Sequence, residues 1–298
     1  MKVLNLGSLN IDFNYFLGHI MQTNETQAAH EMRIFPGGKG LNQSIAMSRA
    51  GLDVYHAGYI GEDGDFLIDT LETAGVHTEL IHKTTGRSGH AIIQVDTMGQ
   101  NAVMIYGGCN AEITTEYIDA VLEQFDADDV LVLQNELANL SYAIERAHEK
   151  KMKIILNPSP CNEQLRECDL TKVDIFFINE VEGRELTSYI QPGDILIGMQ
   201  EKYPESVCIL TLGKQGAFFK SKDESFYHPA LSVPAVDSTA AGDIFEGYFL
   251  ASYLNGRPAR DSLKTATYAA GISVQREGAS MSAPTMQETL DAIAKEQQ

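Results

Sequence analysis

The chain has 298 residues, and its 41 acidic against 22 basic side chains give a formal net charge of −19. That field repels nucleic acid and anionic membrane surfaces, so neither is expected as a partner, and any phosphate-bearing ligand must be held locally by backbone N–H groups, a metal ion or a few Lys and Arg. Hydrophobic residues make up 44% of the chain, enough for one large core with a small appendage.

The N-terminal stretch MKVLNLGSLNIDFN reads neither as a signal peptide nor as a membrane span. Within it, KVLNLG at 2–7 is a short apolar run ending at Gly, the pattern of a first central strand. The glycines of GGKGLNQSIAMSRAGLD then give way to a helical pattern from Leu41 to Ala50, with Gly51 as its C-cap. VYHAGYIG at 54–61 predicts a strand, and DFLIDTLETAG at 65–75 a helix that turns Leu67, Ile68 and Leu71 to the core. The alternation resumes with strand VLVLQ (130–134), helix LSYAIERAHEK, and strands KIILN (153–157), VDIFFIN (173–179) and SVCILTLG (206–213). FFKSKDESFYH at 218–228 reads as an edge meander, and a helix starts near Ala241. Nearly continuous apolar runs are the mark of parallel strands covered on both faces, so the expected fold class is α/β, a doubly wound and mostly parallel sheet with helices on both sides.

Two stretches break this rhythm. Residues 13–35 hold no convincing helix, and 88–106 read as two alternating strands joined by an MGQN turn. They predict a small projecting β-sheet, a lid over a cleft or a dimerisation surface, outside a core made of 1–12, 36–87 and 107–298. The four cysteines, Cys109, Cys161, Cys168 and Cys208, lack paired metal-ligand spacing and are read as reduced thiols of a cytoplasmic protein.

Five segments carry chemistry. In DSTAAGDIFEGYF (237–249) the small residues Ala240, Ala241 and Gly242 precede a helix, so their N–H groups can bind phosphate, and Asp243 in the first turn can take a proton from a hydroxyl. A plain helix cap is the alternative. GGKGLNQS (37–44) lets backbone and polar side chains approach a ligand, or is simply a tight turn; it lacks P-loop spacing. Asn10 and Asp12 stand two apart and would point the same way in extended chain, suited to reading adjacent hydroxyls, with Asx turns as the alternative. Asn179, Glu180 and Glu182 close an apolar strand, where an ordinary acidic first helical turn explains them and Mg²⁺ is the alternative. TLGKQG (211–216) allows close approach of a nucleotide, or a turn.

Taken together, these segments resemble the ribokinase family of carbohydrate and purine kinases over almost the whole chain. The resemblance rests on Gly37-Gly38-Lys39-Gly40-Leu41-Asn42-Gln43, on Asp237-Ser238-Thr239-Ala240-Ala241-Gly242-Asp243, and on the Asn179–Glu182 and Thr211–Gly216 elements between them. It implies ATP-dependent phosphorylation of the primary hydroxyl of a small sugar, ribose or a similar pentose. Asp243 would be the base, and Ala240, Ala241 and Gly242 the anion hole. Asn10, Asp12, Gly38, Lys39, Asn42 and Glu136 would hold the sugar, and Thr211, Gly213, Gly216 and Gly242 the nucleotide. Asn179 and Glu182 would arrange Mg²⁺ and phosphates through water. A K⁺ or similar ion would lie at Asp237, Thr239, Ser273, Arg276, Gly278 and Ser282, several of them through carbonyls. The lid would make a homodimer.

The departures concern the acceptor. Ser238 stands for Thr, Ile244 for Thr and Glu246 for Asn, and the lid-side residues Phe13, Phe16, Phe35, Tyr106 and Cys109 are bulkier than usual. Fructose, a deoxyribose-like sugar, a sugar phosphate or a nucleoside are the alternative acceptors within the family, and a non-catalytic binder of nucleotide and sugar is the alternative outside it. A Rossmann-type dehydrogenase shares the α/β rhythm, but its G-x-G-x-x-G after the first strand is missing, since Gly7 is followed by Ser-Leu-Asn.

Overall fold

The computed structural model describes residues 1–296. In chain order the strands are β1 (Val3–Leu6), β2 (Asn10–Phe16), β3 (Glu31–Gly37), β4 (Val54–Ile60), β5 (His77–Lys83), β6 (Gly89–Val95), β7 (Asn101–Tyr106), β8 (Val130–Gln134), β9 (Lys153–Asn157), β10 (Ile175–Asn179), β11 (Val207–Thr211), β12 (Gly216–Lys220) and β13 (Ser225–Pro229). The helices are α1 (Lys39–Arg49), α2 (Asp65–Thr73), α3 (Thr115–Leu122), α4 (Leu140–Glu149), α5 (Glu163–Arg166), α6 (Glu180–Thr187), α7 (Pro192–Lys202), α8 (Ala241–Leu254), α9 (Ala259–Ser273) and α10 (Met286–Glu296).

Nine strands form the core sheet in the order β13-β12-β11-β10-β9-β8-β1-β4-β5, parallel except for the β12 and β13 edge. Side chains alternate across a strand, and the central strands here divide their apolar residues between two cores. Val3, Val130, Val132, Ile155, Phe177 and Ile209 pack with Ile45 of α1, Leu67 of α2, Phe249 of α8 and Leu263 of α9. Leu4, Leu6, Leu131, Leu133, Leu156 and Ile178 pack on the other side with Ile118 of α3, Ile144 of α4, Leu186 of α6 and Ile195 of α7. This is the doubly wound core that unbroken apolar runs predict. Among the described residues no helix is long and apolar enough to cross a membrane.

The second sheet has four strands in the order β3-β2-β6-β7. β2 starts at Asn10, only four residues after β1 ends, so Asn10 and Asp12 stand at the root of the small sheet where it leaves the core.

Two close approaches fix the helices around the site. A Cβ on Gly40 would come within 2.4 Å of the Ser8 amide nitrogen, so glycine alone lets the start of α1 rest on the loop after β1. Where α8 crosses α1, a Cβ on Gly247 would lie 2.6 Å from the Ala46 Cβ and 2.8 Å from the Met47 nitrogen. α8 is buried at every residue from Asp243 to Ser252, which leaves its two carboxylates, Asp243 and Glu246, inside the protein against α1.

Candidate active site

The N-termini of α1 and α8 converge beyond the carboxyl ends of β9, β10 and β11, the place where open α/β sheets put their ligands. They enclose a cleft of about 190 Å³ whose walls include Lys39, Asn157, Asn179, Glu182, Thr211, the run Ala240–Asp243, and Glu246.

Asp243 is buried at the floor of this cleft. Its Oδ2 accepts from Asn42 Nδ2 at 3.3 Å and its Oδ1 from Gln43 Nε2 at 3.0 Å. Burial holds its carboxyl above the ordinary aspartate value against the opposing pull of Lys39, Gln43 and Asn42. A raised pKa in a cleft is what a proton acceptor for a hydroxyl needs.

The direction of the Gln43 amide is set from behind. Gln134 Nε2 donates to Gln43 Oε1 at 2.6 Å and to Asn5 Oδ1 at 2.9 Å. Asn5 Nδ2 in turn donates to the Gly40 carbonyl and to Ser44 Oγ, both at 2.8 Å, and Ser44 Oγ lies 2.8 Å from His56 Nδ1. Burial pushes the fully enclosed His56 down to about 3, so the ring is neutral. The Gly40 carbonyl can only accept, so it fixes the Asn5 amide; Asn5 Oδ1 then holds the Gln134 N–H groups, Gln134 holds the Gln43 oxygen, and the Gln43 N–H groups are left facing Asp243 and Glu246.

The start of α8 has the form of an anion site. Ala240 is its N-cap at φ 59°, a left-handed conformation rare for a residue with a Cβ, and no side chain caps the end. Ala241 N–H donates to the Ser238 carbonyl at 3.2 Å, whereas the Gly242 and Asp243 amides meet no acceptor among the described residues. A Cβ on Gly242 would touch nothing within 4 Å. Two helix N-terminal amides without an acceptor thus belong to residues of the cleft wall, Gly242 and Asp243.

Lys39 connects this end to the other predicted group. Burial works to lower its pKa, but the carboxylates of Asp243, Glu136, Glu182 and Glu246 outweigh it and hold it above the ordinary lysine value. Its backbone N–H donates to Glu136 Oε2 at 3.3 Å, and the Ser8 hydroxyl donates to the same oxygen. Burial raises the Glu136 pKa, and burial together with the Glu136 charge pushes Asp12 up to about 7. Asn10 Oδ1 accepts from Asn110 Nδ2 at 2.8 Å, which fixes its amide. Gly38, at φ 93°, is the N-cap of α1.

Asn179 and Glu182 make a reciprocal capping box on α6. Asn179 Oδ1 accepts from the Val181 and Glu182 amides, and Glu182 accepts from the Asn179 backbone at 2.6 Å and its side chain at 3.0 Å. Thr211 Oγ1 donates to the Ile178 carbonyl at 3.3 Å, and Gly213 and Gly216 form the turn into β12. Asp237 bridges two segments, accepting from Thr239 N at 2.9 Å and Gly278 N at 3.3 Å. Near it, the Ser273 carbonyl accepts from Arg276 N, Ser282 Oγ donates to the Ala279 carbonyl, and the Arg276 side chain pairs with Glu288.

The model of the pfkB family of carbohydrate kinases matches residues 1–286. A ribokinase of Staphylococcus aureus is 34% identical over 96% of this chain and 98% of its own. The chain belongs to the pfkB carbohydrate kinase family. A deoxyribokinase of Salmonella typhi is 30% identical to this pfkB-family chain over 97% of each. A solved ribokinase from Cryptococcus neoformans in complex with ADP shares 31% identity, covers 98% of this chain and 99% of its own, and aligns with a TM-score of 0.84.

In this pfkB-family kinase the sequence motifs account for most of the cleft wall but not for what stands behind it. Gln43 belongs to a sequence motif without a role of its own, Glu246 enters only as a departure from the family pattern, and Asn5, His56, Gln134 and Asn157 carry no sequence expectation. Asn5 and His56 interrupt apolar strands with polar groups, the one signal that could have marked them.

The donor sets fit the ions that the family implies. Each Glu182 oxygen is engaged by one Asn179 donor and keeps a second acceptor position, so Glu182 suits the water shell of Mg²⁺. Around Asp237, the Thr239 and Arg276 carbonyls accept no hydrogen bond among the described residues, an all-oxygen set suited to a monovalent cation.

Proposed function

We propose that this protein transfers the γ-phosphoryl group of ATP to the primary hydroxyl of a small sugar, with ribose or 2-deoxyribose as acceptor and Asp243 as base. The observation that carries this reading is one cleft holding the Asp243 carboxyl, with its pKa raised, beside the two unpartnered amides at the start of α8. The deoxyribokinase and ribokinase relatives support the choice of pentose.

The sugar lies between Asp12, Asn10, Lys39, Asn42 and Glu136, whose oxygen and nitrogen atoms pair with vicinal hydroxyls. Asp243 takes the hydroxyl proton as the oxygen attacks the γ-phosphorus in line; the bond from that phosphorus to the bridging oxygen breaks, and ADP leaves. The Gly242 and Asp243 amides receive charge growing on the equatorial oxygens. When bound, Mg²⁺ beside Glu182 neutralises phosphate charge, and K⁺ at Asp237 holds the loop that shapes the anion site. The lid covers the cleft and joins two copies of the chain, a reading supported by exposed Met32, Ile34, Val103, Met104, Ile105 and Tyr106 on its strands.

The test is product mass from a panel of pentoses, hexoses, sugar phosphates and nucleosides with ATP and Mg²⁺, with and without K⁺. A gain of one phosphoryl group, greatest with ribose or deoxyribose and raised by K⁺, is expected. A gain confined to nucleosides or sugar phosphates would overturn the acceptor assignment, and no gain anywhere would overturn the kinase reading.

A further inference from the structure

One buried carboxyl in the cleft wall has no part in the reaction described so far. Glu246 lies three residues beyond Asp243 on α8 and is 1% exposed. Its Oε2 accepts from Gln43 Nε2 at 3.1 Å and from Asn157 Nδ2 at 3.0 Å. Its Oε1 is buried and has no hydrogen-bond partner among the described residues.

This arrangement fixes where a proton must sit. The Gln43 amide cannot turn over, because its oxygen is held by Gln134, which is itself held by Asn5. Two N–H donors therefore stay on Oε2, and a proton on Glu246 belongs on Oε1. Among the described residues Oε1 meets no hydrogen-bond partner, and a buried hydroxyl left unpaired is costly, which points to something bound in the cleft as its acceptor. Glu246 shares that cleft with Ala240–Gly242, Asn179 and Thr211, while Asp12, Asn10 and Glu136 stand outside it. Its ligand neighbour is thus on the phosphate side.

The charged groups acting on Glu246 are Asp243 on its own helix, Glu182 on α6 and Lys39 on α1. Burial first, then the charges of Asp243 and Glu182, outweigh the Asn157 bond and Lys39 and push its carboxyl up to about 8. An ionised Glu246 would repel phosphate, whereas a carboxylic acid kept neutral by an enclosed site serves as a hydrogen-bond donor.

We propose that Glu246 acts as a neutral acid whose Oε1–H donates to a phosphoryl oxygen of the bound nucleotide, a catalytic side-chain donor added to the amides of Gly242 and Asp243. The proton stays on Glu246 throughout, and no bond to it is made or broken. The proposal rests on the kinase reading.

Initial rates of the wild type, Glu246→Leu and Glu246→Gln, measured over pH with ATP and ribose varied in turn, test it. The Leu variant should lose about 10–100-fold in kcat/KM for ATP, the worth of a hydrogen bond to a charged group, with KM for the sugar little moved. Gln keeps an N–H where the acid has its O–H, and should recover the larger part of that loss. The wild-type rate should fall above about pH 8, a limb that the Gln variant lacks. An unimpaired Leu variant, or a Gln variant as impaired as Leu, would overturn the assignment. Should the Leu variant not fold, the infrared difference spectrum of wild type minus Glu246→Gln decides. It should show the carbonyl stretch of a protonated acid at neutral pH, moved by bound ADP; its absence overturns the proposal. A wild type that phosphorylates no acceptor would sink the kinase reading instead, and the infrared band would still report on Glu246 by itself.

Discussion

Asp12 and Asp243 are both carboxyls deprived of water, with different consequences. Asp12, pushed up to about 7 by burial and then by Glu136, can accept sugar hydroxyls fully only when ionised. Below that pH it carries a proton and loses acceptor capacity. The expected outcome is a kcat/KM for the sugar that falls as pH drops through about 7, measured at saturating ATP. An Asp12→Asn variant should be weaker by roughly 10–100-fold and should lack this limb; the same limb in the variant would assign it to another group. At this scale the candidate residues Asn10, Asp12, Lys39, Asn42 and Asp243 are legible in the sequence because they sit in short glycine-marked segments. The supporting residues were hidden for a physical reason. Asn5 and Gln134 look like single polar faults in the strands VLNL and VLVLQ, and only the strand pairing that sets β1 beside β8 shows that they satisfy one another.

Among the elements, the crossing of α1 and α8 matters most, since it sets Asn42 and Gln43 against Asp243 and Glu246. Gly247 permits that crossing, and Gly247→Ala would drive a Cβ to 2.6 Å from the Ala46 Cβ. Overpacking of this kind costs about 1–3 kcal/mol, so the midpoint of urea unfolding should fall. Because the displaced helix carries Asp243, kcat should fall more than KM for the sugar rises. Wild-type stability and turnover in this variant would show that the crossing is not tight. The central strands were legible as unbroken apolar runs. β5, HTELIHK, was not, because at the sheet edge only Leu80 is buried and its polar side chains face water. α9 was missed because small Ala, Thr and Ser residues make up much of its buried face, and these carry little hydrophobic periodicity.

For the whole molecule, the net charge of −19 means that phosphate must be bound by geometry rather than by bulk attraction, a demand that the proposed role of the unpartnered α8 amides answers. The lid strands expose Val103, Met104, Ile105 and Tyr106, each more than half accessible. Sedimentation velocity should therefore show a dimer, and Ile105→Glu should shift it toward monomer; a monomeric wild type would remove the lid as an interface. The alternation of two periods in the sequence, unbroken in the core and two-residue in the lid, told the two sheets apart. It could not tell which residues of one would meet the other, since that depends on how β2 leaves β1. Everything proposed for the reaction converges on Asp243. The wild type and Asp243→Asn should be compared with ATP, Mg²⁺ and ribose, following sugar phosphate by mass and ADP binding by calorimetry. Both should bind ADP alike, and the variant should form product about 10²–10⁴-fold more slowly; product formed by the variant at the wild-type rate would contradict the assignment of Asp243 as the base.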